Sequence, residues 1–370
     1  MPSGGRAEKE WMERMTVTER VLDARSLTAF VQALFHGLGV PEAEAQELAA
    51  CLTDADLRGV SSHGVVRIPW YVNDLRRGYM HPTLRVSTLA DSGPLLLLDG
   101  HDSIGHLVAK RAMAAGIERA HRFGVGVVGV RRSSHFGAAA YYAAMAAAKD
   151  QIGIVLTNGG AVMAPWGGRE KLLGNTPIAV ALPALEEAPI ILDSAQTVVA
   201  HGKLTYAKER GATTVPAGWA LDRLGIPTED IDEALQGLLM PIGGHKGYAM
   251  AFVFDCICGL LMDAGVGEAI RTDEQPGPGP GHVFLVLDIG SFRPAEEFKR
   301  CMDARIRQIR TSPRAPGVER IYVPGEIEHQ TRARRLREGV PLPDGLIQKL
   351  NDLARGLHVP ELGGRVGGEV

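Results

Sequence analysis

The sequence predicts an α/β protein with helical ends, and three observations carry that expectation. Apolar residues recur at helical spacing from Ser26 to Arg58. After Gly124 come four brief β-rich runs, GVGVVGV, IGIVLTN, IAVALP and PIILDSA, of the kind that build a buried sheet. A last amphipathic helix covers Asp344 to Gly356.

The opening helices are LTAFVQALF and PEAEAQELAACLTDADL, broken at Gly37 to Val40. A third is expected from about His63 to Arg77, with Ser61 or Ser62 as its N-cap. LLLLDG, Leu95 to Gly100, reads as a short strand, and the Ala-rich stretch from His106 to His121 as a helix. GYAMAFVFDCICGLLM, Gly247 to Met262, is interrupted by Asp255 and is short of the roughly 20 apolar residues of a bilayer span. It reads as a buried core helix. EQPGPGPG fits neither helix nor strand, so residues 265–281 form an exposed loop, followed by the strand HVFLVLDIG. Ala295 to Arg310 is helical in period, and RIYVPGE reads as a strand entering a turn.

A chain of 370 residues is long enough for two or three domains. The expected division is a flexible extension over 1–18, a helical part over 19–90, an α/β region over 91–325 and a helical segment over 326–370. A formal charge of -3 gives no overall field for nucleic acid. The Arg-rich run Arg332, Arg334, Arg335 and Arg337 reads as a solvated helix face. Four cysteines without a CxxC pair fit neither a disulfide framework nor a zinc site, which suits a reducing, cytoplasmic setting. The charged N-terminus MPSGGRAEKEWMERM has no apolar core for a signal peptide or anchor.

Gly124, Gly126 and Gly129 spell GxGxxG, yet a Rossmann fingerprint needs a strand before the glycines and a helix opening on them. Here the helix comes first and the glycines fall within a strand, where they serve close packing. Any dinucleotide must be held another way.

Five segments could carry chemistry. In SSHGVVR, His63 would lie in the first turn of a helix, where the dipole lowers its pKa, with Arg67 one turn on along the same face. A proton carrier beside a carboxylate fork suits a 2-keto acid reductase, although a capped helix with an incidental His is the plainer alternative, and Pro69 must kink the helix or sit near its start. His135 stands at a strand-to-helix junction in RRSSHFGAAAYYA, as a ligand-facing side chain or a solvent-facing one behind two capping serines. Asn158 to Pro177 is a long loop with a Trp and clustered glycines, whose backbone amides could line an anion or a nicotinamide amide. Asp193 ends an apolar strand and wants a partner, for which a His is natural. In GGHKGYAM, Lys246 enters a buried helix and could meet a phosphate or carboxylate, or simply begin a surface helix.

Taken in order, SSHGVVRIPWY, SSHFGAAAYYA, APWGG with GNTP, LDSAQTVVAHGK, PIGGHKGYAM and VPGE closely resemble the malate and L-lactate dehydrogenase family, which also holds sulfolactate, ureidoglycolate and diketogulonate enzymes and cyclic imine reductases. The likeness runs from about Val21 to His358. It implies a non-Rossmann fold with a mixed, largely antiparallel sheet flanked by helices, and a homodimer with its active site between domains. By position, His63 matches the family's general acid, with Ser62 beside it, Asp193 as the orienting carboxylate and Arg67 as the substrate anchor. His135 matches a second histidine near the nicotinamide, credited with proton transfer in the ureidoglycolate branch. Asn175, Thr176 and Pro177, then Asp193, Ser194 and Ala195, then Lys246, and last Pro324, Gly325 and Glu326 fall on cofactor-binding segments. Two departures stand out, since the usual Thr-Asn-Pro reads Asn-Thr-Pro here and the position after Asp193, often Met, is Ser194.

The expected function is interconversion of a small 2-hydroxy acid and its 2-keto acid with NAD or NADP, NAD being preferred and His63 carrying the proton. A reductase of a cyclic imine or diketo sugar acid is the alternative. A Ser62, His63 and Asp193 hydrolase is a remote one, because adjacent side chains on a helix point about 100° apart and no GxSxG elbow is present. An inactive binding protein that keeps the fold is a further rival. No metal, membrane or nucleic-acid partner is expected.

Overall fold

In the computed structural model, residue 11 and residues 18–272, 276–363 and 365–366 are described. The N-terminal part begins with β1 (Glu19–Leu22), α1 (Ala24–Gly37) and α2 (Glu42–Leu57). Asp23 caps α1, its carboxylate accepting the Ser26 N–H at 2.9 Å. Leu27, Val31, Leu34 and Phe35 of α1 are buried with Leu48 and Leu52 of α2. α3 (Ile68–Arg76) follows, and then the hairpin of β2 (Ser87–Ser92) and β3 (Leu95–Asp99).

The central region starts with α4 (Gly105–Phe123), β4 (Val125–Arg131), α5 (Ala139–Ala147), β5 (Gln151–Thr157), β6 (Ile178–Leu182) and β7 (Ile190–Ser194). It continues with α6 (His201–Glu209), β8 (Ala220–Leu221), β9 (Pro227–Thr228), α7 (Ile231–Gln236), β10 (Leu238–Leu239) and α8 (His245–Asp255), which runs into a π turn over Cys256–Leu260. β11 (His282–Asp288) and α9 (Ala295–Arg310) lead to α10 (Glu326–Glu338), β12 (Val340–Pro343), α11 (Asp344–Gly356) and β13 (Arg365–Val366).

Seven strands form one sheet in the order β2-β3-β4-β11-β5-β6-β7, in which only β3 and β4 are parallel. This is the mixed, largely antiparallel sheet expected. β11 sits at its centre because HVFLVLD buries both of its faces, whereas Gln151 to Thr157 alternates as a strand with one face fully covered does. α4 and α5 cover one face, around Val108, Ala112, Tyr142, Ala146 and Phe284. Gly126 explains the misplaced GxGxxG. A Cβ there would overlap the Gly116 carbonyl, so the glycine lets α4 lie directly on β4.

β1 pairs with both β12 and β13, and Val340, Leu342, Ile347 and Leu350 share a core with α1 and α2. Of the first 18 residues only Trp11 and Thr18 are described; the rest of that expected extension lies outside the described residues. Trp11 is buried edge-on against Trp219 and donates its indole N–H to the Thr214 carbonyl at 2.7 Å.

Three expectations fail locally. The segment at His63 forms two 3-10 turns, Ser61–His63 and Val65–Arg67, and the α-helix starts only at Ile68, where Pro69 needs no N–H partner. RIYVPGE forms no strand; it runs as irregular chain whose Pro324 carbonyl accepts the Ile191 N–H at 3.1 Å. The apolar run at 247–262 is helical but not a core helix, since Phe252, Val253, Leu260 and Leu261 are 50 to 70% exposed. Asp255 is the residue of that run with polar partners inside, accepting from the Asn158 amide at 2.8 Å. Within the Pro/Gly loop, Glu274 and Gln275 lie outside the described residues.

Candidate active site

A cavity of about 580 Å³ lies between the helical part, the sheet and α6. His63 and Arg67 line it from the turns after α2, His135 from the turn between β4 and α5, and Asn158 to Val162 with Asn175 and Pro177 from the long loop after β5.

His63 owes its low pKa to causes other than a helix dipole, since it precedes α3. Burial pushes the imidazole down to about 3, helped by the positive charges of Arg67 and Lys203. Its Nδ1 lies 2.9 Å from the Ser62 hydroxyl, so Ser62 orients the ring instead of capping a helix. Asp193 does not reach this ring. Its carboxylate accepts the Ala140 N–H at 3.2 Å at the start of α5; the residue is exposed as a whole, yet the carboxyl is desolvated enough to be raised to about 6, and its expected role as the orienting partner of His63 is not what the geometry provides.

Arg67 donates Nε–H to the Ser62 carbonyl at 2.7 Å and lies 5.5 Å from the centre of the Trp70 ring. A Cβ on Gly202 would overlap its guanidinium, so α6 opens with a glycine where the arginine crosses. Burial lowers the Arg67 pKa, and among the described residues no carboxylate pairs with the guanidinium. A buried cation left uncompensated is costly unless an anion arrives.

His135 stacks on His63 with 5.6 Å between ring centroids, and its Nδ1 is 2.7 Å from the Tyr71 hydroxyl. Burial first, then Arg67 and the neighbouring histidines His63, His106 and His282, hold it neutral. Ser134, the expected capping serine, accepts the Gly105 N–H at 2.7 Å and so ties the start of α4 to this turn.

The cofactor candidates divide. His135, Asn175 and Pro177 line the cavity with Thr176 buried between the last two. Asp193, Ser194 and Ala195 end β7, and Pro324, Gly325 and Glu326 lie against the same strand at Ile191, outside the cavity lining. The Glu326 carboxylate is already occupied by Arg310 at 3.0 Å, Arg320, the Val323 N–H at 3.2 Å and Gln330 at 3.0 Å, so it is an anchor for the turn and not a ligand donor. Lys246 is exposed at the start of α8, and the buried helix it was expected to enter is not there. Tyr71, Trp70 and His201 line or brace the cavity without a signal beyond ordinary core or helix residues in the sequence.

A neutral histidine pair beside a guanidinium without a carboxylate partner among the described residues, in a cavity sized for small molecules, on an α/β fold without a Rossmann loop, suits an enzyme that acts on small acids. The family model for malate/L-lactate dehydrogenase matches residues 22–351, and the chain belongs to that family. It is 37% identical over 346 residues to a malate dehydrogenase of Pyrococcus horikoshii, covering 91% of this chain and 95% of that one. The sulfolactate dehydrogenase structure from Methanocaldococcus jannaschii superposes with a TM-score of 0.84 at 34% identity, over 92% of this chain and 98% of the other. A delta1-piperideine-2-carboxylate reductase from Pseudomonas syringae pv. tomato superposes at 0.80 with 26% identity, over 90% and 100%.

Proposed function

We propose that the protein reduces a small 2-keto acid, or oxidises the matching 2-hydroxy acid, with a nicotinamide cofactor. The half-buried Arg67, with no carboxylate partner among the described residues, carries this reading, because its remaining N–H groups suit the two oxygens of a carboxylate. The malate and sulfolactate named for its relatives have that group beside the reacting carbon.

The cavity fits a nicotinamide ring. Gly159 and Gly160 present bare backbone there, with room beyond each for the Cβ they lack, and Asn175 and Pro177 complete that wall. When bound, a nicotinamide gives or takes the hydride. Arg67 fixes the carboxylate so that the neighbouring carbon faces the ring. His63, held by Ser62 at Nδ1, exchanges the proton on the substrate oxygen through Nε2. NAD is proposed ahead of NADP. An imine next to a carboxylate would meet the same groups, and the likeness to the piperideine-carboxylate reductase favours this as a second reading.

The exposed apolar face of α8 and of the turn after it, with Met250, Phe252, Val253, Leu260 and Leu261, supports a homodimer, since large bare patches mark interfaces. The four unpaired cysteines suit a cytoplasmic setting. Among the described residues no helix is long and apolar enough to cross a membrane. Titration with NADH and NADPH by fluorescence, then an absorbance assay over oxaloacetate, pyruvate, sulfopyruvate and a cyclic imine acid, tests the function. Turnover of none of them would overturn it. Light scattering of Leu260→Glu against the wild type tests the dimer, which should dissociate.

A further inference from the structure

The turn that carries His63 and Arg67 is shaped from beneath by a residue outside the site. Asp56, in the last turn of α2, is 1% exposed, and its Oδ2 accepts the Val65 N–H at 2.8 Å. Gly64 lies so close that a Cβ there would overlap Cγ and both carboxylate oxygens. The Asp56 side chain thus fills the volume a side chain at residue 64 would need, at the peptide joining the two 3-10 turns. Any displacement of this peptide moves His63 on one side and Arg67 on the other.

The carboxyl does not act as one half of an ion pair. Arg335 of α10 donates to the Asp56 backbone carbonyl, and the other carboxyl oxygen, Oδ1, has no partner among the described residues. Around it, Arg332 pairs with Asp54 at 2.7 Å and Thr331 packs on Gly59, so α10 clamps the end of α2. Burial raises the pKa of Asp56 to about 7, against the pull of the Val65 hydrogen bond and of Arg335.

We propose that Asp56 is the positioning residue of this active site, setting the spacing of proton carrier and carboxylate anchor as a hydrogen-bond acceptor and not as a counter-ion. The inference rests on the reading of His63 and Arg67 given above. Asparagine has the same shape and can still accept from Val65, whereas alanine cannot.

The test compares Asp56→Ala and Asp56→Asn in the full chain for keto-acid KM, kcat, NADH affinity and thermal unfolding. Asp56→Ala should lower kcat/KM by roughly ten-fold or more, from both KM and kcat, with NADH affinity unchanged. Asp56→Asn should restore most of that loss. It should also melt above the wild type at alkaline pH, with the advantage shrinking in acid, because only the wild type must ionise a buried carboxyl as pH rises. A wild-type KM in Asp56→Ala would overturn the proposal, and so would an Asn variant as impaired as Ala, which would make the charge the working feature. If Asp56→Ala does not fold, Asp56→Ser, with room for a water, gives the same comparison. Arg67→Lys run alongside separates the readings. If it raises KM and Asp56→Ala does not, Asp56 alone loses its role, and if neither does, the site reading falls as well.

Discussion

His63 and His135 stack with 5.6 Å between ring centroids and 20° between planes, each held at Nδ1 by a hydroxyl, from Ser62 at 2.9 Å and from Tyr71 at 2.7 Å. Two neutral imidazoles therefore face one cavity, and His63 lies one 3-10 turn before Arg67, the proposed carboxylate anchor. His63→Ala should cut turnover by roughly 10² to 10⁴ while NADH affinity holds. His135→Ala should weaken cofactor or substrate binding with a smaller loss of turnover, and Tyr71→Phe should follow it in the same direction. Steady-state kinetics showing the reverse pattern would hand the proton to His135.

Substrate binding should take up a proton. After burial, the charge of Arg67 is the next cause that holds His63 low, and a bound carboxylate would cancel it. With enzyme saturated in NADH, calorimetric binding of oxamate, a keto-acid analogue, should give heats that differ between buffers of different ionisation enthalpy. Equal heats would mean that His63 does not titrate on binding. Arg67→Lys should weaken oxamate binding by roughly ten-fold or more, since a point charge cannot reproduce the fork.

Acid should destabilise the protein well above the ordinary carboxylate range. His63, His106 and His282 are each pushed down to about 3 by burial, and His135 lies well below its usual value. The unfolded chain binds a proton on each near 6.5, the folded chain only at much lower pH, so stability is full above about 6.5 and falls as pH drops below it. Asp56, raised to about 7, Asp193, raised to about 6, and Asp255, also raised by burial, act in the opposite sense, favouring the folded state as pH falls and offsetting part of the histidine effect, to which the lowered His201 adds. Each net proton taken up on unfolding is worth about 1.4 kcal/mol per pH unit. Thermal unfolding from neutral pH down to about pH 5 should show a steep fall in Tm; a flat profile would mean that these rings are hydrated in the folded state.

How much of this was legible depended on whether a signal was local. The strands at Val125, Gln151, Ile178 and His282 and the helix Asp344–Gly356 follow from period and breakers within each segment. Local order alone argues against a Rossmann loop at the GxGxxG, and Gly126 gives the steric reason for the glycines. His63, Arg67 and His135 line one cavity, but the helix expected to lower the pKa of His63 gives way to 3-10 turns, because a buried Asp56 nine residues before Val65 captures its amide. The exposure of Phe252, Val253 and Leu261 was hidden because a run apolar on all sides looks the same whether it faces a core or another surface. Tyr71 and Gly202 act only through side chains distant in sequence, His135 and, for Gly202, the crossing Arg67, so no spacing rule could single them out.

The Asn175, Thr176, Pro177 segment gives a last prediction, from its departure from the usual Thr-Asn-Pro. Thr176 is fully buried with φ at 30°, in the left-handed region that β-branched residues avoid, and its hydroxyl has no partner among the described residues. Such a conformation costs on the order of 1 to 3 kcal/mol, while asparagine, of nearly the same volume, enters that region far more readily. Thr176→Asn should therefore raise stability by about 1 kcal/mol, seen as a Tm increase of roughly 1 °C in a chain of this size. If the strain serves to present Asn175 and Pro177 to the cavity, NADH affinity should fall in the same variant while Tm rises. A lower Tm in Thr176→Asn and in Thr176→Gly, which has no side-chain amide to leave unpaired, would show that the threonine is not strained in the folded protein.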